Sequence, residues 1–142
     1  MLFTDEKGIK HDISINIGNA RKVLRLHSVD LMDVQATLKQ VGQDDEIKRT
    51  ENTMLMLDIC FALAQSNAKE KELDENLFYE SLAGDSLIAL QEAFLGALAN
   101  FCPSQAMRAI LRKSLAMIQK TQADLLKKVE ATDFSEVLKV GS

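Results

Sequence analysis

Leu87-Ile88-Ala89-Leu90-Gln91-Glu92-Ala93-Phe94-Leu95-Gly96-Ala97-Leu98-Ala99-Asn100-Phe101-Cys102-Pro103 is the stretch that decides the fold class. Leu87, Leu90, Phe94, Leu98 and Phe101 recur at intervals of three and four, which gathers them on one stripe of a helix with 3.6 residues per turn. Beside that stripe, Ala89, Ala93, Gly96 and Ala97 keep a neighbouring surface low enough for another helix to approach closely. Pro103 ends the helix, since it lacks the N–H that the next turn needs. Upstream, Ala83-Gly84-Asp85 breaks a short helix over Glu75 to Leu82, which presents Leu77, Phe78 and Leu82, and recaps the long one.

Downstream, Ser104 is a good cap for a final long helix whose positions Met107, Ile110, Leu111, Ser114, Leu115 and Ile118 face inward. The pattern is interrupted at Thr121-Gln122 and resumes at Leu125, Leu126 and Val129. Unbroken to Glu130, such a helix is about 40 Å long at 1.5 Å per residue. It outruns a small core, so its distal part packs on a partner, frays or forms a separate helix. The tail from Ala131 to Ser142 adds Phe134, Val137 and Leu138, a minimal amphipathic turn.

Toward the N-terminus the periodicity changes. Ile9, His11, Ile13, Ile15 and Ile17 alternate with Lys10, Asp12, Ser14 and Asn16, the signature of a half-buried strand. Leu2-Phe3-Thr4 precedes it across the turn-like Asp5-Glu6-Lys7-Gly8, which predicts a small hairpin. Asn19 is placed to cap a short helix carrying Val23, Leu24 and Leu26, and Asp30 or Asp33 to cap another through Leu38 and Val41 that Gly42 ends. Asp44-Asp45-Glu46 puts negative charge at the start of the following helix, where the macrodipole favours it. Its wide apolar face, Ile47, Met54, Leu57, Phe61 and Ala64 flanked by Leu55, Ile59 and Ala62, predicts a central helix. Gln65 to Asp74 is polar and reads as a surface loop.

The expected architecture is mainly α, a compact helical domain of about five to six helices with a small N-terminal β-hairpin. It forms a single domain over 1–142: hairpin over 1–18, helical core over 19–103, long helix over 104–130, and C-terminal tail over 131–142. With 142 residues, 46% of them hydrophobic and 27% charged, the composition is that of an ordinary globular chain. No internal repeat or low-complexity segment stands out.

A net charge of −4 argues against nucleic acid, which is held by basic surfaces that release counterions from phosphate. The start of the chain lacks a basic region followed by an apolar run, which argues against a secretory signal. No uncharged apolar stretch reaches the length of a membrane span, so a membrane partner is not expected. Cys60 and Cys102 lie in apolar runs and read first as buried thiols, with a single bridge left open. The chain belongs in a reducing cytoplasm.

Chemistry is sparse. His11 and His27 have no second histidine at ligand spacing, and the metal-binding cysteine and histidine motifs are missing, so neither a metal nor another cofactor is expected. Ser81, Ser86, Ser104 and Ser114 lack a nucleophile setting, and the carboxylate pairs Asp30 with Asp33 and Asp44 with Asp45 are explained by helix capping. The expectation is a protein without catalytic activity. Arg108, Arg112, Lys113, Lys120, Lys127 and Lys128 cluster on the last helix, as a solvated polar face or as a docking surface for an acidic partner.

The order of segments carries a resemblance. Ile17-Gly18-Asn19-Ala20-Arg21-Lys22-Val23-Leu24-Arg25-Leu26-His27-Ser28-Val29-Asp30-Leu31-Met32-Asp33 resembles a pattern in small tail proteins of bacteriophages, where a basic helix leads into a Thr-Gly-Val-Asp-Leu-Leu-like turn. Here His27-Ser28 stands where Thr-Gly is usual. Leu57-Asp58-Ile59-Cys60-Phe61-Ala62-Leu63 is similar to a helix of those proteins. So are the segment from Phe78 through Gly84-Asp85 to Leu87 and the closing Phe101-Cys102-Pro103. The resemblance spans most of residues 13 to 113 and is to the tail assembly chaperones of long-tailed phages and their prophage relatives. It implies a protein of the bacterial host cytoplasm that binds the tape measure protein and tail tube subunits during tail assembly. The residues expected to make contact are Ala89, Ala93, Gly96 and Ala97, which pack instead on this chain's own helices in the alternative reading, and Leu125, Leu126 and Val129. For the latter, self-association into a homo-oligomer and partner binding both stay open. The alternative functions are a head–tail connector or tail terminator and a small regulatory protein-binding module.

Overall fold

The computed structural model describes residues 1–68 and 73–131. Strands β1 (Leu2–Thr4) and β2 (Lys10–Asp12) pair antiparallel, with Phe3 opposite His11. Six helices follow: α1 (Ile17–His27), α2 (Val34–Val41), α3 (Arg49–Asn67), α4 (Glu75–Glu80), α5 (Asp85–Phe101) and α6 (Gln105–Ala131). The fold is mainly α with a small N-terminal hairpin, as the periodicities predict. The tail residues Phe134, Val137 and Leu138 lie outside the described residues, as does part of the expected 65–74 loop.

The hairpin turns at Asp5 to Gly8, where Gly8 takes φ 82° and Asp5 Oδ1 accepts the backbone N–H groups of Lys7 and Ile9. Its buried face is narrower than the alternation suggests. His11 and Ile13 are buried, but Ile9 stays exposed and Ile17 begins α1 in solvent. The helix starts three residues earlier than Asn19 because Asn16 is the cap. Asn16 Oδ1 accepts the Asn19 N–H while Asn19 Oδ1 accepts the Asn16 N–H, a reciprocal capping box. Of the apolar positions in α1, Ala20 and Val23 are buried, while Leu24 and Leu26 face water. Asp33 caps α2 through the Ala36 N–H.

Helix α3 is the centre of the fold, touching α1, α2, α4 and β2. Its buried set is Met56, Leu57, Ile59, Cys60, Ala62, Leu63 and Ala64, so several faces of the helix are covered. It begins at Arg49, later than the acidic run. Asp45 Oδ1 accepts the Ile47 N–H in a turn, and Ile47, 91% exposed, stays outside with Met54. On α5, Leu90, Phe94 and Leu98 are fully buried and join Phe78, Ile13, Leu31 and Val23 in one continuous core.

Candidate protein-binding surface

Helix α6 is anchored at its start, and its second half is solvent-exposed. Ser104 Oγ accepts the Met107 N–H, and Ser104 O accepts the Arg108 N–H, fixing the first turn. Cys102, Pro103 and Ser104 connect α5 to α6, and a connection this short makes the two packed helices antiparallel neighbours. Leu111 is buried against that pairing, and Met107, Leu115 and Ile118 are half-buried. Helix α5 has 17 residues and α6 has 27, so α6 runs past the start of α5 by about 15 Å at 1.5 Å per residue. Every residue from Gln119 to Ala131 is exposed.

This overhang is continuous in α-helix through Thr121-Gln122, so the interruption of the stripe is not a break in the helix. Leu111, Leu115, Ile118, Gln122, Leu125 and Val129 are spaced alternately by four and three, the two inward positions of a heptad. Lys113, Lys120 and Lys127 recur at seven on the opposite pole, and Ala109, Ala116 and Ala123 recur at seven on one flank. These intervals constitute an internal repeat that reading the basic residues as one cluster conceals. Leu125, Leu126 and Val129 are 47–60% exposed, an apolar face left open among the described residues. Ile110 and Met117 extend it along the side of α6 turned from α5.

The second expected contact set has a different fate. Ala93, Gly96 and Ala97 are buried and Ala89 is half-buried, on the helix that packs against β1 and α6. A Cβ added at Gly96 would lie 2.6 Å from Met1 Cε. The close approach that these small residues permit is therefore used inside the molecule, and for Ala93, Gly96 and Ala97 a partner-binding role is corrected to internal packing.

Titratable groups in the interior are paired locally. His11 Nε2 lies 2.9 Å from Asp5 Oδ2, beneath the rings of Phe3 and Phe78. Burial by itself would raise the Asp5 pKa, but hydrogen bonds from His11 and from the Ile9 and Lys7 amides outweigh it and hold the carboxyl below its usual range. Tyr79 donates to Asp58 Oδ1 at 2.6 Å, and burial together with that carboxylate pushes the phenol up. Cys60 and Cys102 are free and buried, and burial pushes the Cys60 thiol up, away from the reactive thiolate.

A shallow cleft of about 410 Å³ opens between the start of α2 and the α5–α6 turn, lined by Asp30, Met32, Asp33, Pro103 and Met107 among others. Its carboxylates are occupied: Asp30 Oδ1 accepts the Met32 N–H, and Asp33 caps α2. Among the described residues no group of three histidine, cysteine or acidic side chains is placed to hold a metal ion, and no helix is long and apolar enough to cross a membrane. Among the described residues, the overhang of α6 is a surface on which exposed apolar side chains recur at helical spacing. Neither a protein-family model, nor a curated protein, nor a solved structure matches the chain.

Proposed function

We propose that this chain is a protein-binding module that offers the overhanging face of α6 to an amphipathic helix of another polypeptide, and that its role is that of a phage tail assembly chaperone. The observation that carries the reading is the exposure of Leu125, Leu126 and Val129 on a helix that leaves the core. Anchors at intervals of three and four are what a helix presents to a groove or to a second helix. In this reading the bound segment belongs to the helix-rich tape measure protein, whose apolar faces need cover until tail tube subunits gather around it. A contact of about three turns binds moderately, which suits a protein that must leave before assembly is complete.

The conformation of Ser28 supports the family reading. It adopts φ 56° and ψ 33° at the end of α1, the left-handed conformation that glycine takes most readily, and it occupies the position where the tail proteins carry Gly. Co-expression with a tape measure protein from the same genome tests the proposal. Soluble tape measure is expected to rise with the native chain and to fall back to the level of tape measure alone with Leu125→Glu. Equal yields with and without the chain would sink the reading.

A further inference from the structure

We infer that the outward face of α1 is a second docking surface, and that its occupant is an acidic amphipathic segment of another protein. Helix α1 carries Arg21, Lys22 and Arg25 and no acidic residue, in a chain whose net charge is −4. All three are exposed, and among the described residues no carboxylate lies within ion-pair distance of any of them. A cation in the last turn suits the helix macrodipole, which accounts for Arg25. It does not account for Arg21 and Lys22 in the middle turns. Apolar side chains stand among these charges. Ile17, Leu24 and Leu26 are 48–68% exposed, because α1 buries only Asn19, Ala20 and Val23 where it packs on α3. A face kept for water alone has no use for them.

Helical spacing arranges the face. Ile17, Arg21 and Leu24 follow at four and three on one stripe, which sets the two apolar residues about 10 Å apart over two turns. Arg25 lies one turn beyond Arg21, on its flank. A partner helix therefore meets two apolar anchors with one guanidinium between them and another beside them. Its complement is an apolar stripe edged by carboxylates, which the planar arginine forks bind in pairs of hydrogen bonds. Other partners fit less well. Insertion into a membrane needs apolar residues on one side of a helix with cations at the rim, whereas Arg21, Arg25 and Lys22 separate Leu24 from Leu26 across the exposed face. A nucleic acid would leave Ile17 and Leu24 without a partner, would find no aromatic residue on α1 to stack a base, and would be repelled as a long polyanion by the net charge. A short acidic segment feels mainly the local charge.

This surface lies on a different helix from the α6 overhang, so either reading stands without the other. The test uses a synthetic helical peptide with leucines at every third and fourth position and glutamates between them, and a copy with lysine for each glutamate. The acidic peptide is expected to bind the native chain and the Leu125→Glu chain alike, and to bind less tightly as salt is raised. Arg21→Glu combined with Arg25→Glu should weaken that binding by about tenfold or more, and Leu24→Ser by on the order of fivefold. All three positions face water, so native helix content is expected in both variants. The double charge reversal should in turn bind the lysine copy more tightly than the native chain does, a gain that misfolding would not produce. Acidic-peptide binding that Leu125→Glu abolishes places the site on α6 and overturns the inference. So does a lack of binding, binding indifferent to salt and to the charge reversal, or equal affinity for single-stranded RNA or for phosphatidylserine vesicles.

Discussion

His11 Nε2 sits 2.9 Å from Asp5 Oδ2 with both side chains sealed from water, joining the second strand of the hairpin to the turn that precedes it. The same carboxylate accepts the Lys7 and Ile9 amides through Oδ1, so one buried group holds the turn and the strand together. Because its pKa is depressed in the folded chain, the stability it contributes is full above the ordinary Asp value of 3.8 and is lost as pH falls below it. Denaturant titrations are expected to show a drop below that pH that Asp5→Asn reduces. At pH 7, Asp5→Ala should cost about 1–3 kcal/mol by leaving buried donors unpaired. An unchanged acid limb in Asp5→Asn would show that the carboxylate carries none of the acid sensitivity.

Ser28 ends α1 in the left-handed region, with its N–H donating to Leu24 O at 3.0 Å. An L-residue is disfavoured there by about 1–2 kcal/mol, while glycine loses more entropy on folding. Ser28→Gly should therefore stabilise the fold by roughly 0.5–1 kcal/mol, read as a shift of the denaturation midpoint at constant slope. A loss of stability would mean that the Ser28 side chain makes a contact of greater value than the relief of strain.

Asn67 at the end of α3 donates through Nδ2 to both Asp12 O, at 3.0 Å, and Ser14 O, at 2.9 Å. Ser14 O also receives Asn19 Nδ2, so the segment between hairpin and α1 hangs on two asparagines. Asn67→Ala should cost about 1–3 kcal/mol, and hydrogen exchange should rise first at Asp12 to Asn16. A uniform rise across the whole chain would place the effect elsewhere.

Sequence periodicity shows most clearly where a helix buries one face. The stripe of α5, its stop at Pro103 and the Ser104 cap all stand as the spacing implies. Asn16 and Asn19 are harder to distinguish, because each is a good cap and only the reciprocal bond shows which one begins the helix. Asp44-Asp45-Glu46 misleads because short acidic side chains compete for backbone amides and hold a turn as readily as they start a helix. The fate of Ala93, Gly96 and Ala97 could not be read locally. Small residues signal close approach, and which chain approaches is a tertiary fact, decided here by Met1, β1 and α6. The α6 seam was legible in the recurrence of lysines at seven, but a polar Gln122 within it breaks the stripe for any scan that counts apolar residues alone.

Leu111 and Leu125 share one seam of α6, yet the first is 1% exposed and the second 49%. The same truncation should therefore have opposite consequences at the two sites. Leu111→Ala opens a cavity against α5 and should cost about 2–5 kcal/mol of stability. Leu125→Ala removes a side chain that the monomer does not cover, and its cost should stay within about 0.5 kcal/mol plus nothing for a cavity. Any process in which the overhang is buried reverses the order, with Leu125→Ala weakening capture of an amphipathic helix while leaving the unfolding midpoint in place. Chemical denaturation run beside a binding titration separates the two. Should Leu125→Ala destabilise the isolated chain as much as Leu111→Ala does, the overhang is already buried within its own chain and cannot be the surface offered to another.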